Sequence, residues 1–206
     1  MTGKYGWSRR SDRLLEAALG LAAVLAAVFG ILLPLLGVLG ITDPMDTREV
    51  GTAAATRVPD GVIRATAGHG MTLTGGHRAD LALTHPDTGQ RLLLALPELV
   101  GSLLLLLVLY LLLRMARTLR DGDVFVPDNA RRLGVIALAA LAQAVLAPVL
   151  PALTTQLLVR GTPLSDAIPF QVTFTGAYFL LAVLVLALAE VFRRGTRLRA
   201  DTGRLV

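Results

Sequence analysis

The sequence predicts an all-α membrane protein. It should have four transmembrane helices, both termini in the cytoplasm, and a small β-rich extracytoplasmic loop between helices one and two. Three observations predict this. The 206 residues are 54% hydrophobic, with a mean hydropathy of +0.64, where soluble domains are about 45–50% apolar. The apolar residues fall in four blocks, and the polar segments between them carry nearly all the charge. Each block reaches the roughly 18 residues needed to cross a hydrocarbon core about 30 Å thick at about 1.5 Å of helix rise per residue.

Residues 1–13 form a basic tail with Lys4, Arg9, Arg10 and Arg13. The first span, 14–41, is much longer than the about 7–15-residue apolar core of a signal peptide, so it reads as an uncleaved anchor. Pro34 lies inside it and is expected to kink its outer half. The spacing of Ala18, Ala22, Ala26 and Gly30 leaves one smooth face. Ala140, Ala144, Pro148 and Ala152 do the same in span three, so spans one and three are expected to make the tighter helix contacts.

The extracytoplasmic loop, 42–91, is too long for a simple connector. Strands are expected at Val62–Ala67, Met71–Thr74, Asp80–Thr84 and Arg91–Leu96. Turns fall at Pro59-Asp60-Gly61, Gly75-Gly76 and Pro86-Asp87-Thr88-Gly89. Span two follows at 92–115, then a cytoplasmic hairpin at 116–132 and span three at 133–153. An outer loop covers 154–171, span four 172–192, and a basic cytoplasmic tail 193–206.

Charge sets the orientation. Fourteen of the twenty Lys and Arg lie in the N-terminal tail, in the hairpin or at the end of span two that enters it (Arg114, Arg117, Arg120, Arg131, Arg132), or in the C-terminal tail (Arg193, Arg194, Arg197, Arg199, Arg204). The positive-inside rule then places all three on the cytoplasmic side of the membrane. The net charge of +5 and pI near 10.6 are read as this topological signal and not as direct nucleic-acid binding.

Few residues suggest chemistry. There is no cysteine, which excludes disulfides, thiolate metal sites and cysteine nucleophiles. No H-E-x-x-H, G-x-S-x-G or phosphate-binding glycine loop occurs, so the protein is expected to be neither an enzyme nor a cofactor carrier. His69, His77 and His85 read as solvated turn residues, not a metal site, which usually wants a fourth close ligand. Glu16 and Glu98 are placed in first helical turns, where the helix dipole favours a carboxylate. Twelve Leu and Val between Leu99 and Leu113 add roughly −4 to −7 kcal/mol of insertion free energy, which covers one acidic residue near the end. Gln143 is the main strongly polar residue inside span three, an amide suited to bonding between helices. Pro148 and Pro151 are expected to break that span near its outer end. Glu190 precedes Arg194 at i,i+4, the favourable order for an ion pair.

Two stretches carry a resemblance. The hairpin reads Arg120-Asp121-Gly122-Asp123-Val124-Phe125-Val126-Pro127-Asp128-Asn129-Ala130-Arg131-Arg132-Leu133, with Pro127 and Asp128 suited to a helix start. The C-terminal end reads Ala189-Glu190-Val191-Phe192-Arg193-Arg194-Gly195. Together, in this order, they resemble the domain of unknown function 2975 family of uncharacterised bacterial four-helix membrane proteins. The resemblance implies no established activity. Genes of the family often sit beside a small helix-turn-helix regulator, which implies a membrane partner that holds or releases a transcription factor.

The expected function is therefore a non-enzymatic membrane sensor or regulator. Phe125, Asn129, Arg131, Arg132, Glu190, Arg193 and Arg194 would build its cytoplasmic docking face. The alternatives are a small transporter or transporter accessory subunit, and an envelope structural protein. The expected partners are the lipid bilayer and a cytoplasmic helix-turn-helix regulator; the sequence assigns no oligomeric state.

Overall fold

The computed structural model describes residues 9–42, 46–51, 63–67, 71–75, 78–120, 127–165 and 168–202. Among these, five α-helices occur in chain order: α1 (Arg9–Ala27), α2 (Leu33–Val38), α3 (Thr88–Arg120), α4 (Pro127–Val159) and α5 (Gly176–Thr202). A π-helical segment, Val28–Leu32, joins α1 to α2. Between α2 and α3 come β1 (Thr47–Gly51), β2 (Ile63–Ala67), β3 (Met71–Gly75) and β4 (Arg78–Leu83). Four helical stretches among the described residues are long and apolar enough to cross a membrane: Arg13–Val38, Thr88–Thr118, Asp128–Val159 and Gly176–Gly195. The protein is thus a multi-pass membrane protein with four candidate spans and a small sheet.

The chain divides into two compact units. One comprises Met1–Val28, Ser102–Ala144 and Thr175–Val206; the other comprises Phe29–Gly101 and Val145–Phe174.

In the second unit the sheet is antiparallel throughout, in the order β1-β4-β3-β2. Three of its strands lie close to the expected positions. The strand expected at Arg91–Leu96 does not exist, because those residues belong to α3. The turn expected at Pro86–Gly89 is instead the start of that helix. Asp87 Oδ1 accepts from the Gln90 N–H at 2.7 Å, and Gln90 Oε1 accepts from the Asp87 N–H at 3.0 Å. This reciprocal capping box satisfies two donors that a helix start otherwise leaves open.

The missing fourth strand is β1, Thr-Arg-Glu-Val-Gly, which pairs with β4 so that Arg48 faces Leu81 and Glu49 faces Asp80. It has one large apolar residue and thus none of the alternation that marks a strand. Its charges suit a sheet edge, where they discourage pairing with other chains. Val50, Leu81 and Leu83 turn inward onto Leu94 of α3, Leu158 and Val159 of α4, and Leu164 and Ile168 beyond it.

The first span ends on Gly40, at φ +74°. The Gly40 N–H reaches Gly37 O at 3.1 Å and the Ile41 N–H reaches Leu36 O at 3.0 Å, a Schellman cap that uses glycine's access to the left-handed region. Pro34 is buried, and the helix ahead of it relaxes into the π segment, so the expected disturbance takes that form. Val38 packs with Ala95 and Leu99 of α3, beside Ile31.

Proline breaks neither α3 nor α4. Pro97 lies inside α3, and Pro148 and Pro151 inside α4, which continues to Val159. Spanning helices tolerate proline because neighbouring groups satisfy the carbonyls it frees. Glu98 is therefore well inside α3, not in its first turn, and Glu16 lies two turns into α1.

In the first unit, Leu133 and Ile136 of α4 and Ala189 of α5 form a cluster. Leu112 and Met115 of α3, with Val185 and Phe192 of α5, surround it. The leucine-rich spans two and four thus share this core with span three.

Candidate functional site

The arginine-rich ends of α3, α4 and α5 gather six of the seven expected site residues within the first unit; Phe125 lies outside the described residues. Asn129 is 1% exposed and lies beneath the surface. Its Oδ1 accepts from Arg132 Nη1 at 2.9 Å and lies 3.2 Å from Thr118 Oγ1. The Thr118 hydroxyl is also 2.8 Å from Met115 O, so its single proton serves one acceptor at a time. Arg132 Nη1 is 3.4 Å from Arg114 O. Asn129 and Arg132 thus brace the start of α4 against the end of α3.

Arg131 is exposed and forms no ion pair among the described residues. On α5, Glu190 accepts from Arg193 Nη2 at 2.6 Å and from Arg194 Nε at 2.9 Å. Both partners are well exposed, so the pairs orient side chains more than they stabilise the helix. Glu16 meets Arg117 Nε at 3.0 Å, joining α1 to α3 where stabilisation by the helix dipole alone was expected. Arg114 lies over the Tyr110 ring, 5.6 Å from its centre, within cation–π range. The buried Oε1 of Gln143 has no hydrogen-bond partner, so the expected interhelical amide bond is absent among the described residues.

The second unit holds a site that the sequence reading missed. Arg48 leaves β1 and enters the space between α3 and α4. Its Nη2 donates to Leu93 O at 3.2 Å and Leu94 O at 2.5 Å. Its Nη1 donates to Thr154 Oγ1 at 2.6 Å and Thr155 Oγ1 at 3.3 Å. Both threonines are buried, and the Thr154 hydroxyl donates to Leu150 O at 2.9 Å. No carboxylate pairs with this guanidinium among the described residues, and burial pushes its pKa below the ordinary arginine value.

The acceptor at Leu93 has a cause in the sequence. A helical N–H at position 97 would bond the carbonyl four residues earlier, but Pro97 has none. Pro97 therefore opens Leu93 O to Arg48. Two signals were available: an arginine in the strand-forming segment between the first two spans, and a proline within an apolar helix.

Beside Arg48 lies a cleft of about 230 Å³, lined among others by Glu49, Thr155, Gln156, Gln171 and Pro151. Thr155 belongs both to the cleft wall and to the Arg48 ligand set. Of the three histidines, His69 and His77 lie outside the described residues. His85 is exposed at φ +56°, at the joint between β4 and α3. No group of three or more metal-ligating residues occurs among the described residues.

No curated protein and no solved structure matches the chain. The family model described as "Protein of unknown function (DUF2975)" matches residues 52–203. The chain belongs to that family.

Proposed function

We propose that this DUF2975 member is a non-enzymatic sensor or regulator of the bacterial inner membrane, with both termini in the cytoplasm. Its sheet lies outside, and its arginine-rich ends dock a small cytoplasmic helix-turn-helix transcription factor. The observation that carries this reading is Arg48. One side chain of the sheet ties itself to two helices at once, through the Leu93 and Leu94 carbonyls and the Thr154 and Thr155 hydroxyls. A ligand in the neighbouring cleft would touch Thr155 and Glu49, and so bear on the bonds that hold Arg48. Both helices are continuous, α3 to Arg120 and α4 from Pro127. A shift at Arg48 therefore acts on elements that carry the basic hairpin.

On this reading Arg131, Arg193 and Arg194 offer the exposed charge, Glu190 orients the last two, and Asn129 and Arg132 hold the start of α4 against the end of α3. Phe125 would add an apolar contact.

Partner capture from native membranes tests it, by mild crosslinking, detergent extraction and mass spectrometry. The parent should recover a small helix-turn-helix protein. The Arg131→Gln/Arg132→Gln double variant should lose it while inserting normally. Because Arg132 also braces Asn129, Arg131→Gln alone is run beside it and should weaken capture. Equal recovery with all variants, or recovery of transport subunits alone, overturns the reading.

A further inference from the structure

We propose that the groove between α4 and α5 holds one anionic phospholipid, its phosphate on Arg131 and one acyl chain along Gly134, Leu138 and Leu141. Two hollows of about 830 Å³ and about 310 Å³ share Gly134, Leu138, Val183 and Leu186, so they form one continuous groove. Its walls are apolar. A Cβ built on Gly134 would meet nothing within 4 Å, so no protein group fills the space in front of that residue.

The mouth of the groove is charged. Arg131, Glu190 and Arg193 line it. Glu190 is already engaged by Arg193 and Arg194, whereas Arg131 forms no ion pair among the described residues. Two arginines against one carboxylate leave a net positive rim. Basic rims between spanning helices suit anionic headgroups.

Length selects a lipid over a protein helix. From Arg131 to Leu141 the groove follows α4 for ten residues, about 15 Å of helix. That is half of a hydrocarbon core about 30 Å thick, the depth of one leaflet. A spanning helix from a second copy would need the full depth, and its own positive rim would oppose this one. The site needs no protein partner, so its test is separate from partner capture.

The full chain is reconstituted in nanodiscs holding equal parts phosphatidylglycerol and phosphatidylcholine, then released into detergent for native mass spectrometry. Phosphatidylglycerol should remain bound in preference to phosphatidylcholine. Arg131→Gln should reduce that preference by about fivefold, the share of one arginine near a membrane surface. Arg131→Lys should keep most of it, and Gly134→Leu should expel both lipids. Equal retention of the two lipids by the parent, or an unchanged preference in Arg131→Gln, overturns the proposal. If Gly134→Leu fails to fold, the Arg131 pair decides alone. The natural chain has no cysteine, so Leu138→Cys is a clean probe for a second copy. A disulfide-linked dimer formed in vesicles would give the groove to that copy and sink the lipid assignment.

Discussion

At Arg48 a charge is held by acceptors that carry no charge of their own. Hydrogen bonds to a charged group are worth about 1.5–3 kcal/mol each in stability, and a buried acceptor left open costs about 1–3 kcal/mol. Leu93 O is the sensitive acceptor, because Pro97 denies it a helical N–H. Arg48→Met should therefore destabilise the parent by about 1–3 kcal/mol. In a Pro97→Ala background the same change should cost less, since an alanine there supplies the missing N–H. Denaturant unfolding of the four proteins in detergent measures this as a double-mutant cycle, with an expected coupling of about 0.5–3 kcal/mol. Strict additivity would mean that Pro97 does not create the acceptor. Asn129 makes a related point on the other unit: an invitingly polar residue in the hairpin is buried as a brace, and Arg131 near it is the exposed one.

Element boundaries turned on local chemistry that can be read in two ways. Pro-Asp-Thr-Gly carries turn residues, but Asp87 and Gln90 also sit at the spacing of a capping box, and the apolar run that follows decides for the helix. Asp87→Ala should cost about 1 kcal/mol, as the loss of an N-cap does. The loss is local, so hydrogen exchange should rise at residues 88–91 and stay unchanged in the interior of α3. Unchanged protection at those amides would show that the cap is idle. At β1 the opposite occurred. Thr47–Gly51 offers no apolar alternation, and only its ladder with β4 and the reach of Arg48 make it a strand. Pro148 and Pro151 likewise read as a stop along the chain, yet α4 passes through them.

For the whole molecule, orientation rests on the fourteen basic residues that share one side of the proposed topology. The absence of native cysteine makes it directly measurable. Single variants Thr84→Cys and Arg160→Cys should react with an impermeant maleimide in intact spheroplasts. Arg117→Cys and Arg194→Cys should react only after permeabilisation. The reverse pattern would invert the protein and place the arginine-rich ends, with any docking they perform, outside.

Composition summed over long windows is legible along the chain before it folds. It specifies four apolar helices, a strand-forming segment between the first two, and the family, carried by the hairpin and the Glu190–Arg194 end. Burial of roughly twenty apolar residues in each span outweighs any single turn or cap, so these features survive errors in local reading. Tertiary structure alone decided which polar groups meet. Arg48 and Thr154 are 106 residues apart, and Glu16 and Arg117 are 101 apart. No window along the chain contains either pair. It also decided which arginines stay exposed, because Arg131 and Arg132 are neighbours in sequence and one turn of α4 sends only the second toward Asn129. A hydrogen bond depends on angstroms of separation that only the packed chain sets, whereas partition into a membrane depends on the sum of many side chains, which can be counted before folding.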